Sequence, residues 1–199
     1  MSSCQPEQLV LMYFLLPLWI AAGLADALCH RRADIAHTAG PFESLLHLLM
    51  LVEVGLPLLA ALFLEIDALL IVLMLVAFAV HEATALWDVG YAARRRRVSP
   101  LEQHVHSFLE MIPLMSIIVV VILRWDQFLA IFGAGAQPAR WELAWKEEPL
   151  PAAYVVVLLA CVAVFSVGPY LLELAQGLKA SRQAATAAGA SGSTGIEPR

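Results

Sequence analysis

Runs of apolar residues dominate the chain, interrupted at intervals by short polar segments. A helix that crosses a bilayer needs about 20 mostly apolar residues. Five stretches meet that length, roughly Leu9–Leu28, Phe42–Phe63, Ala68–Tyr91, Leu101–Leu123 and Pro151–Leu172. Only Leu64, Glu65, Ile66 and Asp67 separate the second from the third, which predicts a tight helical hairpin with its acids at the water interface. The expected fold is therefore all-α, a polytopic membrane bundle of about five transmembrane helices. The bundle is expected over residues 1–179 and a disordered cytoplasmic tail over 180–199, where Ala, Ser, Gly and Thr replace the hydrophobic period. The first span is not expected to be a cleaved signal peptide. No Lys or Arg precedes it, and its end carries Asp26, Cys29 and His30 rather than a small-residue cleavage site.

Composition strengthens the membrane reading. Hydrophobic residues make up 61% of the 199 and charged residues 15%, against about 25% charged in an ordinary soluble domain. A soluble fold of this length could not hide so much apolar surface. The formal charge of -5 comes without any basic stretch interleaved with aromatics, so nucleic acid is excluded as a partner. Cys4, Cys29 and Cys161 are odd in number and far apart, which argues against a disulfide framework or a zinc ribbon.

Lys and Arg orient the bundle. Arg31 and Arg32, the run Arg94–Arg97, and Lys179 with Arg182 all fall on one side if the N-terminus is outside and the C-terminus inside. The expected location is a bacterial inner (plasma) membrane. The long loop from about Arg124 to Leu150 then lies outside, with Trp125, Trp141 and Trp145 in the interfacial aromatic belt. The arginine run reads first as a topological stop signal, and second as an attraction for anionic headgroups.

The histidines change the picture from a generic bundle to a chemical one. All six lie between His30 and His106. Three follow a carboxylate by four residues: Asp26/His30, Glu43/His47 and Glu102/His106. On a helix such positions share a face, one turn apart. His81 and Asp88, about two turns apart, share a face as well. Spans one and three end where spans two and four begin, so all four pairs meet at one end of the bundle. Four helices each offering a carboxylate and an imidazole match the general recipe for a di-metal site in a bundle core. The eight candidate ligands are Asp26, His30, Glu43, His47, His81, Asp88, Glu102 and His106. This donor set suits a divalent metal, two iron ions first, with zinc or manganese as alternatives.

Two acids lie deeper. Glu53 is ten residues past Glu43, about 15 Å along a helix, and Glu110 continues the Glu102/His106 stripe. Intramembrane carboxylates mark functional sites by default, and Glu53 and Glu110 are the candidate catalytic acids or bases. Glu82 is a possible acceptor that orients an imidazole. His37 is expected in a solvated loop, and His104 faces away from His106.

The segment from Asp26 to Glu110 resembles membrane-bound histidine-box proteins of the fatty acid hydroxylase and desaturase type. The likeness lies in several helices presenting histidine at their cytoplasmic ends. Those families carry HxxxH and HxxHH boxes, whereas the motifs here are Asp/Glu-x3-His and His-x6-Asp. The carboxylate-rich set is also similar to soluble ferritin-like carboxylate proteins, at an interval of four rather than three. The resemblance implies two irons that activate oxygen against a lipid-like substrate. The leading expectation is thus a membrane di-metal oxidoreductase acting on a lipid or other hydrophobic substrate. No nucleotide or flavin signature is present, so an external electron donor is expected. The alternatives are a zinc-dependent membrane hydrolase and a non-enzymatic proton or metal-ion relay or transport subunit.

Overall fold

The computed structural model describes residues 5–192, with side chains through residue 188. Five helices are long and apolar enough to cross a membrane: α1 (Pro6–Arg32), α2 (Pro41–Phe63), α3 (Ala68–Ala92), α4 (Pro100–Leu123) and α5 (Ala152–Ala188). No strand occurs among the described residues beyond an isolated bridge between Leu64 and Trp145. Cys4 and residues 193–199, the end of the segment expected as a tail, lie outside the described residues.

Local chemistry sets the helix starts. Proline stands in the first turn of α1, α2 and α4, where its missing N–H would be unpaired anyway and its fixed φ suits a helix. Before α4, Ser99 forms a capping box. Its hydroxyl accepts from the Glu102 N–H at 3.1 Å, and the Glu102 carboxylate accepts from the Ser99 N–H at 3.3 Å. Both α1 and α5 contain one wider turn, at Leu11–Leu15 and Ala163–Val167. Such π-turns often accompany functional sites. The final helix runs on to Gly192, so residues 180–192 are helical where an unstructured tail was expected. Alanine is frequent there and is the best helix former, so helix does not require a hydrophobic period.

α2 packs chiefly on α3 and α5, and α1 on α4. Two apolar clusters fill the half of the bundle away from the histidines, one around Leu15, Trp19, Leu62 and Ile112, the other around Leu70, Met74, Ile117 and Val120. The polarity of the whole is inverted relative to a soluble protein. Large apolar side chains such as Phe14, Leu56, Val76 and Ile118 point outward, while Asp26, Glu43, Asp88 and Glu102 are buried. That distribution is compatible with an integral membrane protein, because lipid solvates the apolar exterior and leaves polar groups to satisfy each other inside.

At the end remote from the histidines, the loop after α4 folds back on the α2–α3 hairpin. The Glu65 N–H donates to the Ala144 carbonyl at 2.8 Å, and the Lys146 N–H to the Phe63 carbonyl at 3.0 Å. Arg124 pairs with Glu65, and Arg140 with Asp67 at 2.6 Å. Trp125, Trp141 and Trp145 remain exposed there.

Candidate metal centre

Each helix brings its polar residues to the same end, and helix ends set their depth. Asp26 and His30 occupy the last two turns of α1, Glu43 and His47 the first two of α2, and Glu102 and His106 the first two of α4. Asp88 lies one turn from the end of α3. The side chains of Asp26, His30, Glu43, His47, Asp88 and Glu102 are all essentially buried, and His106 nearly so.

The contacts cross between helices more than they run along them. His30 Nε2 lies 3.3 Å from Asp26 Oδ1, within its own pair, and 3.6 Å from Glu102 Oε1. His106 Nε2 approaches the same Asp26 Oδ1 at 2.9 Å. His47 turns away from Glu43, placing Nε2 3.3 Å from Asp88 Oδ2. The His30 and His47 rings stack with centroids 4.2 Å apart and planes 16° from parallel.

A fifth helix completes the cluster. Glu173 of α5 bridges the two stacked rings, with Oε2 3.0 Å from His30 Nδ1 and Oε1 3.2 Å from His47 Nδ1. One turn earlier, Tyr170 donates its hydroxyl to Asp26 Oδ2 at 3.1 Å. Neither was among the candidates read from sequence: the fifth span was ended at Leu172, one residue before Glu173, and Tyr170 within that span carries neither a carboxylate nor an imidazole. The signal was nonetheless available: Glu173 is the one acid between residues 151 and 196, and an isolated acid in such a stretch marks function.

Arg96 is the third unanticipated member. The sequence presents it as one of four arginines in a stop signal, yet its side chain is 3% exposed and lies between two carboxylates. It reaches Glu43 Oε1 and Glu102 Oε1 at 2.5 Å each through one guanidinium nitrogen, and Glu102 Oε2 at 3.0 Å through another. Burial opposes its charge, but the bonds to Glu102 and Glu43 outweigh this and hold the guanidinium protonated well above its ordinary range. Arg94, Arg95 and Arg97 stay exposed, with Arg95 stacked over the Tyr91 ring.

His81 does not join the ligand cluster. Its Nδ1 faces Glu53 Oε2 at 3.8 Å, deeper in the bundle, and the Thr84 hydroxyl donates to Glu53 Oε1 at 2.8 Å. The seven-residue interval kept His81 and Asp88 on one face, but two turns of helix place His81 about 10 Å further along the axis. Glu110 lines a small cavity together with Asp26, His47, Asp88 and His106. His37 is exposed and paired with Asp34, and His104 is exposed against Phe108.

Two sets of groups converge closely enough to hold a metal ion: Asp26, His30 and His106, and His30, Glu43 and His47. The unpaired atoms fit that chemistry. Asp26 Oδ1, His30 Nε2 and Asp88 Oδ1 are fully buried yet make no well-directed hydrogen bond, and a buried polar atom without a partner is expensive. Asp26 Oδ1 lies 3.3 Å from His30 Nε2 and 2.9 Å from His106 Nε2, near enough for the three groups to share a cation. Charge points the same way. Among the described residues, the cluster of buried acids Asp26, Glu43, Asp88, Glu102 and Glu173 holds one buried guanidinium, Arg96, which pairs with Glu43 and Glu102. Comparison with protein-family models, with curated proteins and with solved structures finds no match.

Proposed function

We propose that the cluster is a di-metal centre, with two iron ions the best match to its donors, and that the protein is a membrane oxidoreductase acting on a lipid or other hydrophobic substrate. The observation that carries this reading is the concentration of five carboxylates and three imidazoles in one buried cluster beside Arg96. Divalent ions would neutralise carboxylate charge that Arg96 leaves uncompensated, and the mixed oxygen and imidazole donors suit iron, manganese or zinc. Asp26, His30, Glu43, His47, Asp88, Glu102 and His106 would hold the ions, with Glu173 orienting the His30 and His47 rings through their Nδ1 atoms.

Arg96 fixes the orientation of Glu43 and Glu102 and moderates their charge, in the manner of outer partners that tune metal ligands. Tyr170 does the same for Asp26. Iron in such a site would supply oxygen activation, with electrons from an external donor. Glu110, on the wall of the cavity beside the ligands, is placed to exchange a proton with a bound molecule, and the apolar interior excludes competing water. The distribution of Lys and Arg favours a cytoplasmic position for the cluster, with the N-terminus outside and the C-terminus inside.

A zinc-dependent hydrolase is the second reading. It uses the same ligands, with Glu110 as the free base toward a metal-bound water. Metal analysis of anaerobically purified protein, beside a His47→Ala/His106→Ala double variant, tests both. About two irons per chain, lost in the variant, is the expected result. One zinc per chain favours the hydrolase. A folded wild-type protein without metal sinks both readings and leaves a proton or ion relay.

A further inference from the structure

Ser166 of α5 is 3% exposed and takes no part in the ligand cluster. Two serines of α4 use their hydroxyls on their own helix: Ser107 donates to the Gln103 carbonyl at 3.0 Å, and Ser116 to the Ile112 carbonyl at 2.8 Å. Ser166 instead lies in the wider turn Ala163–Val167, where backbone bonds run to the fifth residue rather than the fourth. Among the described residues its hydroxyl makes no hydrogen bond, and its Oγ is not sealed from access as Asp26 Oδ1 and Asp88 Oδ1 are.

Ser166 lines the small cavity beside the cluster, together with Asp26, His47, Asp88 and His106. The cavity has a volume of about 60 Å³, against the roughly 10–15 Å³ that one water needs. That is room for a molecule of two or three heavy atoms and too little for a lipid-sized one. Gly23 keeps the space beside the hydroxyl open: a Cβ there would lie 3.6 Å from Ser166 Oγ and 4.0 Å from the Tyr170 hydroxyl. The Tyr170 proton is already given to Asp26 Oδ2 at 3.1 Å. Ser166 therefore brings an uncommitted donor to this wall, and a buried hydroxyl without a partner is costly unless something in the cavity accepts from it.

We propose that this cavity seats the small oxidant of the reaction, a molecule of two or three atoms such as dioxygen, and that the Ser166 hydroxyl is the hydrogen-bond donor that orients it. Dioxygen accepts a hydrogen bond poorly until negative charge develops on it. A donor fixed in place beforehand then acts where that charge appears, at no cost in reorganisation. The inference rests on the metal-centre reading and names the co-substrate of that same site.

Azide, a three-atom anion that accepts hydrogen bonds, is the probe. The full chain in detergent, loaded with iron and oxidised to the ferric state, is titrated with azide and followed by charge-transfer absorbance and by the antisymmetric azide stretch in the infrared. Iron content is measured on the same samples. Ser166→Ala should bind azide about tenfold more weakly, the loss of one hydrogen bond to a charged acceptor, and should shift the stretch while iron content stays the same. Ser166→Thr keeps the hydroxyl and should restore both. Gly23→Leu, which projects into the cavity beside Ser166, should abolish azide binding with iron retained. Equal affinity and an identical stretch in wild type and Ser166→Ala, at equal iron content, overturn the role of Ser166 and leave the metal centre standing. Undiminished azide binding by Gly23→Leu overturns the cavity as the seat. A folded wild-type protein that takes up no iron overturns the metal centre and this inference together.

Discussion

Replacing Arg96 by methionine removes the buried guanidinium that pairs with Glu43 and Glu102, two of the five buried acids, while keeping much of the side chain's length. Glu43 and Glu102 are almost wholly inaccessible and between them make five hydrogen-bond contacts to the guanidinium. Removing one partner of a buried ion pair destabilises a protein by about 3–5 kcal/mol, because the abandoned charge remains desolvated. Two abandoned carboxylates put Arg96→Met at the upper part of that range in metal-free protein. Neutralising one of them as well, in Arg96→Met/Glu43→Gln, should recover a large share of the loss. Arg97→Met, an exposed neighbour in the same run, should fall within about 0.5 kcal/mol of wild type. Equilibrium unfolding in mixed micelles, with metal removed, gives all four values. If Arg96→Met and Arg97→Met prove equally mild, Arg96 is solvated and the charge argument for the cluster loses its anchor.

Glu173→Ala should reduce metal affinity by about 10–100-fold, since it removes the carboxylate that orients both stacked imidazoles; isothermal titration with iron(II) under anaerobic conditions measures it. Gly177→Leu should destabilise by about 1–3 kcal/mol, because even a Cβ at that position would lie 3.1 Å from Pro41 at the start of α2; the same unfolding assay applies, and a neutral result would show that α5 is not seated there. At the other end of the bundle, burial tends to raise the Glu65 pKa, but the Glu147 N–H and the Arg124 and Lys146 charges outweigh it and hold the pKa below the ordinary value. A group depressed in the folded state contributes its stability above its unfolded pKa, about 4.3 for glutamate, and loses it as pH falls through the folded pKa. Protection of the amides in residues 140–148, measured relative to their intrinsic exchange, should therefore fall below about pH 4.3, and Glu65→Gln should remove that loss of protection.

The sequence made the membrane architecture legible because its signal is long and redundant. Apolar runs of about 20 residues leave little choice of structure in lipid, and the five helices fall where the runs fall. Helical periodicity also identified which polar residues share a face, and Asp26, His30, Glu43, His47, Asp88, Glu102 and His106 do converge. Periodicity along one helix does not say which neighbour a side chain meets, so the contacts His106–Asp26 and His47–Asp88 were not foreseeable. His81 failed for a related reason: a shared face does not imply a shared depth. Arg96 was hidden by its three exposed neighbours, which carry the same charge but leave the bundle, and only the turn between α3 and α4 selects it. Glu173 was missed because hydropathy ends the fifth span at Leu172, whereas the helix continues.

Metal-edge X-ray absorption on the intact, iron-loaded protein tests the central claim most directly. The account predicts a first shell of oxygen and imidazole nitrogen and a metal–metal vector of about 3.5–4 Å, both lost in the His47→Ala/His106→Ala variant. An oxygen-only first shell, with no metal–metal vector and no change in the variant, would contradict it.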